Sequence, residues 1–255
     1  MTLLLFKLFA TPALILAATL VSRRYGHAVA GWLVGLPLTS GPIAVYLAVE
    51  HGPSFSQAAA SGSLDGTVAQ VCFAATYVRA TRSQRWPTCL AVASVAFAAS
   101  GLLIAQAGVP LLALAAIAIV CLTLGLVSMP APARVSAPIV PPRWDLPVRM
   151  IVATALVVLV TGAARVLGPG LSGLAATYPM FAVILAVFAH VHQGPEAARS
   201  VLRGLLAGLF GFVGFFVTVA LLVTRLDLGQ TFCAALAVNL AIHGTAFVAV
   251  RGRQT

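Results

Sequence analysis

Acidic side chains are scarce: the 255 residues hold five Asp and Glu against fifteen Lys and Arg, and charged residues make up only 8% of the chain. Soluble domains devote about a quarter of their residues to charge, so a soluble globular fold is excluded. The loops and ligand sets of built-in catalysis are missing too. No G-x-G-x-x-G, Walker loop, H-E-x-x-H, G-x-S-x-G or C-x-x-C occurs, and neither a carboxylate pair nor a nucleophile–base spacing stands out, so the chain is not expected to be an enzyme. Cys72, Cys89, Cys121 and Cys233 lie far apart inside apolar runs without ligand spacing. They read as small buried side chains, with no disulfide, metal or cofactor expected.

What is present is apolar. Hydrophobic residues make up 61% of the chain and the mean hydropathy is +1.05, with runs of about 20 apolar residues, the length that crosses a bilayer. The predicted fold is an all-α polytopic membrane protein. The net charge of +10 would suggest nucleic acid in a soluble chain. Here the arginines fall between apolar runs, where topology and lipid headgroups account for them, and no nucleic-acid partner is expected. Spans are predicted near 3–21, 31–49, 57–78, 87–106, 110–129, 148–164, 171–191, 200–223 and 229–249. The apolar N-terminal segment ends in Ser22-Arg23-Arg24 rather than a cleavage site and reads as a retained first span. The turn Gln106-Ala-Gly-Val-Pro110 is short enough that one re-entrant excursion competes with two helices there.

Nine crossings sort the basic residues. Twelve arginines fall on one side, and Lys7, Arg165 and Arg225 on the other. By the positive-inside rule the N-terminus is outside and the C-terminus cytoplasmic, in a bacterial inner membrane.

The sequence also echoes itself at a spacing of 142 residues. Arg23 falls over Arg165, Gly31 over Gly173, Pro37 over Pro179, Gly52-Pro53 over Gly194-Pro195, Gly62 over Gly204 and Gly66 over Gly208. Shared glycines and prolines report shared turns and close helix contacts. The chain divides into a first four-helix repeat (1–106), a linker helix with a Pro-rich cytoplasmic connector (107–147) and a second four-helix repeat (148–255). An odd number of spans separates the copies, so about nine transmembrane helices form an inverted 4+1+4 repeat.

Inverted repeats recur in secondary transporters, whose sites lie at broken helices near mid-membrane. Gly35-Leu-Pro37-Leu-Thr39-Ser40-Gly41-Pro42 invites such a break, with Thr39 and Ser40 adding hydroxyls. Thr177, Tyr178 and Pro179 stand at the corresponding place. Asp65 is expected near mid-bilayer, where a carboxylate is costly and marks a site for a proton or a cationic group. Asn239 and His243 are one turn apart and share a helix face. Glycines at 62, 66, 204 and 208 are expected to mark where spans 3 and 8 pack against each other. Asp65, Thr39, Ser40, Thr177, Tyr178, Asn239 and His243 are therefore the candidate binding residues.

The second copy resembles the GlpM-like family of small bacterial inner-membrane proteins. The residues that carry the resemblance are Gly173-Leu-x-x-x-x-Pro179-x-Phe181 and Gly194-x-Glu196-Ala197-x-Arg199, followed by a glycine-rich apolar span and a last apolar span. The first copy departs from this pattern with Gln57 in place of Arg199 and with Gly41-Pro42. The resemblance implies a fused duplicate of a four-span protein and a loose link to envelope or exopolysaccharide production, with no cargo named. The leading expectation is a small secondary transporter, proton-coupled through Asp65. Its partners are membrane lipids, a small solute and a proton, with monomer and homodimer both open. The alternative is a non-transporting scaffold or accessory subunit for envelope or exopolysaccharide assembly.

Overall fold

The computed structural model describes residues 2–38, 40–130, 144–156, 158 and 177–251, with side chains described from Thr11 to Thr245 within that set. Thr39 and most of the Pro-rich connector lie outside the described residues. Among the described residues every regular element is helical. The helices are α1 (Thr2–Tyr25), α2 (His27–Val34), α3 (Ser40–His51), α4 (Pro53–Ala80), α5 (Trp86–Gln106) and α6 (Leu111–Ser128). They continue with α7 (145–156), α8 (Met180–Gln193), α9 (Pro195–Leu222) and α10 (Leu228–Arg251). Three of them, α5, α6 and α9, are long and apolar enough to cross a bilayer. Exposed apolar side chains such as Val95, Leu103, Leu112, Leu124 and Val127 cover α5 and α6. A helical membrane protein accounts for that surface, because lipid tails solvate these side chains as well as a protein core does.

Where residues are described, the predicted spans fall on helices, with informative differences; the end of the predicted span 148–164 and the start of 171–191 lie outside the described residues. The second span is two helices, α2 and α3, separated by residues 35–38. The break falls at Gly35-Leu-Pro37, while Gly41 and Pro42 sit in the first turn of α3, where proline's missing N–H has no helical partner to lose. Around Gln106–Pro110 the chain forms two separate helices, α5 of 21 and α6 of 18 residues, with Gly108 at φ +59° in the turn. Both pack on α4, but α5 also meets α8 whereas α6 meets α9.

Helices α4 and α9 are each 28 residues long and each begin at a proline. The glycine before each, Gly52 at φ +85° and Gly194 at φ +86°, reverses the chain in one residue, a backbone conformation that side chains resist. The two helices run antiparallel. At one end Gln57 Nε2 donates to the Ala220 carbonyl at 2.7 Å, and at the other Arg199 Nε donates to Thr81 Oγ1 at 2.9 Å.

The core centres on α9, which packs against α2, α4, α6, α8 and α10. Within its most apolar stretch 61% is buried, against 22% for α5 and 28% for α6, so α9 is the interior helix and the other two are peripheral. Leu202, Leu205, Leu206, Leu209 and Phe216 are almost wholly enclosed.

The glycines mark contacts other than the expected one. A Cβ built on Gly204 would lie 2.0 Å from the Ala28 carbonyl oxygen, and one on Gly31 would lie 2.0 Å from that of Val201. Gly208 meets Gly35, Gly66 meets Thr177, and Gly62 faces open space. The glycine stripe of α9 therefore seats α2, not α4, and Gly66 seats the segment before α8. None of Gly62, Gly66, Gly204 and Gly208 has its close contact across the α4–α9 pair.

Candidate functional site

Two irregular segments lie in the interior: a first break between α2 and α3, and a second at Thr177–Pro179 where α8 starts, residues 159–176 before it lying outside the described residues. At the first, Leu36 N–H donates to the Leu33 carbonyl and Leu38 N–H to that of Leu36, at 3.1 and 2.8 Å, and Gly41 N–H then picks up Pro37 at 2.8 Å to start α3. At the second, Met180 N–H donates to Tyr178 at 2.8 Å and Val183 N–H to Pro179 at 2.9 Å, starting α8. Pro37 and Pro179 explain both. Each lacks a donor and disfavours helix in the residue before it, so α2 ends short of Pro37, and α3 and α8 start after Pro37 and Pro179.

Side chains answer the second break. Gln70 Nε2, from α4, donates to the Thr177 carbonyl at 3.0 Å. Tyr178 and Ser94 share a hydroxyl hydrogen bond of 2.8 Å, and the Tyr178 ring stands edge-on to Phe73 and Phe97, with centroids at 5.9 and 5.3 Å. Thr177 and Tyr178 thus lie in one cluster with Gln70. Ser40 is the first residue of α3 and partly buried. A small apolar cleft lined by Leu14, Leu33, Leu36, Leu38 and Phe181 opens beside the first break.

Asp65 is half-buried in α4, twelve residues from its start, or about 18 Å along the helix. Among the described residues it makes no hydrogen bond or ion pair, and the polar contacts at the second break pass it by. The α10 pair is enclosed more fully: Asn239 is 2% and His243 3% exposed, and both press on Gly211 of α9. Trp32 stands edge-on to the His243 ring with centroids 4.9 Å apart. Because Gly208 abuts Gly35, this pair lies one turn of α9 away from the first break. Of the sequence candidates, the structure therefore gathers Asn239 and His243 near one break and Thr177 and Tyr178 at the other, with Asp65 joined to neither.

A third cluster had no counterpart among the sequence candidates. Asp145, at the start of α7, is fully buried. Arg149 reaches it at 3.0 Å, Arg23 at 3.2 Å, and His192 Nε2 approaches to 3.2 Å without the angle of a hydrogen bond. The Arg149 guanidinium lies over the Phe188 ring at 4.7 Å. Beside it, His27 bonds Ser22 at 2.8 Å and Gln193 at 2.9 Å. These contacts join the end of α1, the start of α2, the start of α7 and the end of α8. The Asp145-x-x-x-Arg149 spacing was the readable signal.

The same end of the bundle holds further basic side chains. Tyr77 OH meets His190 Nδ1 at 3.1 Å. Arg199 pairs with Glu196, and Arg203 Nη1 donates to the Leu126 and Met129 carbonyls at 2.7 and 2.8 Å, closing the C-terminus of α6. At the opposite end, Glu50 and His51 approach to 3.8 Å.

Comparison with family models, curated proteins and solved structures finds no match to this chain.

Proposed function

We propose that this protein is a small secondary transporter of the bacterial inner membrane, moving a small neutral or weakly charged solute between two inverted four-helix halves, 1–106 and 148–255. The observation that carries the reading is the pair of interior proline segments, the helix break at Gly35–Pro37 and the helix start at Thr177–Pro179, 142 residues apart, with matching hydrogen bonds on their C-terminal sides. Discontinuous helices at a repeat interface are a recurrent way to build a site that is exposed alternately. The antiparallel α4–α9 pair, of equal length and with matching glycine-proline starts, supports the inverted arrangement. Arg23, Arg149, Arg199 and Arg203 meet at one end of the bundle, as a cytoplasmic face predicts. The likeness of the second half to GlpM-like proteins adds a route to such a fold, fusion of a four-span ancestor that paired antiparallel. Asp65, half-buried and unpaired within α4, is the sequence candidate for coupling to a proton.

The second reading, a membrane scaffold for envelope or exopolysaccharide assembly, is favoured by the completed hydrogen bonding at the second break. Reconstitution separates the two. Purified protein in liposomes, with lumenal pH followed while small metabolites and metal ions are added, is expected to give solute-dependent proton movement that Asp65→Asn abolishes. Silence of the wild type across the panel refutes transport in favour of the scaffold. Flux unchanged in Asp65→Asn removes that residue from the mechanism.

A further inference from the structure

The surroundings of the two breaks differ in one respect that chemistry has to explain. The 142-residue spacing sets Phe97 of α5 opposite Asn239 of α10, Gly101 opposite His243, and Ala69 of α4 opposite Gly211 of α9. On the α5 side the position is filled by an aromatic ring packed on Tyr178, and the nearby polar groups of Gln70 and Ser94 are bonded. On the α10 side an amide and an imidazole take its place. Asn239 Oδ1 and both ring nitrogens of His243 are buried and make no hydrogen bond. A buried polar atom without a partner destabilises the fold, so three such atoms in one cluster are retained at a real loss of stability.

The geometry narrows the ligand. A Cβ built on Gly211 would lie 2.2 Å from His243 Nε2 and 2.6 Å from Asn239 Oδ1, so the two atoms converge on one point above the glycine. No side chain fits there, and a solute is larger still. A proton needs no volume. The imidazole supplies a lone pair to bind it, and Asn239 Oδ1 is an acceptor close to the N–H that results.

The remaining ionisable groups on the packed elements are engaged elsewhere. On α9, Arg199 and Glu196 pair and Arg203 holds the end of α6; on α2, His27 bonds Ser22 and Gln193; on α3, Glu50 and His51 face each other and Tyr46 has a partner of its own. On α10 itself Cys233 is exposed. No acidic side chain among the described residues pairs with His243, so an imidazolium in this packing has no counter-charge.

We propose that His243, with Asn239 as its acceptor and Trp32 as its cover, is a second group, besides Asp65, at which this protein takes up and releases a proton. The proton adds to a free ring nitrogen and leaves by the same nitrogen to water. The uncompensated positive charge favours arrangements in which α2, bearing Trp32 three residues before Gly35, moves aside and admits water. Proton uptake is thereby tied to the first break. This rests on the transport reading for its place in a cycle, but the binding event is measurable without any solute.

The full chain with Trp86→Phe and Trp144→Phe leaves Trp32 as the only tryptophan, and an imidazolium against an indole quenches its emission. Acidification in nanodiscs from about pH 8 to 5 is expected to quench Trp32 with a single midpoint. The transition should disappear in His243→Gln, shift in Asn239→Leu and persist in Asp65→Asn. A titration that survives His243→Gln, or no titration in the parent, overturns the proposal. Should either variant fail to fold, the ring resonances of His243 followed by NMR in the unaltered chain decide the matter: a shift with pH supports the site, and constant resonances overturn it. Proteoliposome flux then separates the two ideas. A quench that requires His243 in a protein that moves no solute refutes transport and leaves the proton site standing. Solute-driven proton flux that survives His243→Gln refutes its role while transport stands.

Discussion

Replacing Asp145 by Asn tests the charged cluster with an almost isosteric change. The carboxylate is fully enclosed, Arg149 contacts it with a side chain only 8% exposed, and Arg23 contacts it from a side chain 39% exposed. Arg23 can turn to solvent or headgroups when the charge is lost. Arg149 cannot, since it is held over Phe188. Removing one partner of a buried ion pair costs about 3–5 kcal/mol, because the other charge is left buried and uncompensated. For a chain of this size that corresponds to a midpoint lower by roughly 10 °C in thermal unfolding, read by intrinsic fluorescence in detergent or nanodiscs. A second substitution, Arg149→Met, should restore most of the loss by removing the stranded charge. A midpoint for Asp145→Asn within a degree or two of wild type would refute the reasoning, as would a double variant less stable than the single one.

The remaining predictions concern close contacts. Gly204→Ala drives a methyl into the Ala28 carbonyl and should cost at least about 1–3 kcal/mol by forcing α2 from α9, whereas Gly62→Ala, which meets nothing within 4 Å, should stabilise α4 by about 0.5–1 kcal/mol. Thermal midpoints of the two variants check the contrast. Gln70→Leu removes the hydrogen bond to the Thr177 carbonyl and should cost about 0.5–1.5 kcal/mol; its hydrogen-exchange signature is faster exchange at the start of α8, and unchanged protection there would refute the bracing role.

Much of the helical layout was legible because apolar run length and Gly-Pro punctuation are local. Gly52-Pro53 and Gly194-Pro195 end one helix and start another within a residue, and Pro37 and Pro179 each stand just before a helix start. Pairing was less legible. Gly62, Gly66, Gly204 and Gly208 form identical patterns in sequence, yet they face open space, Thr177, α2 and α2 respectively. A small-residue stripe states that something approaches, not what. Asp145 was hidden because two of its partners, Arg23 and His192, come from elements remote in sequence, and only Arg149 lies at helical spacing. Asn239 and His243 were legible as sharing a face, while their lack of partners depends on Gly211 and Trp32, on two other helices.

The seating of α2 on α9 has a consequence for biosynthesis. Gly31 and Val201 touch backbone to backbone, yet the ribosome must add 170 residues between them. At about 5–20 residues per second, α2 waits roughly ten to thirty seconds before its partner exists. Eight residues span only about 12 Å of helix, too short to cross a membrane without α3. During that interval α2 lacks the α9 face it packs on, and the helices before α9 cannot acquire their final packing until α9 has been made.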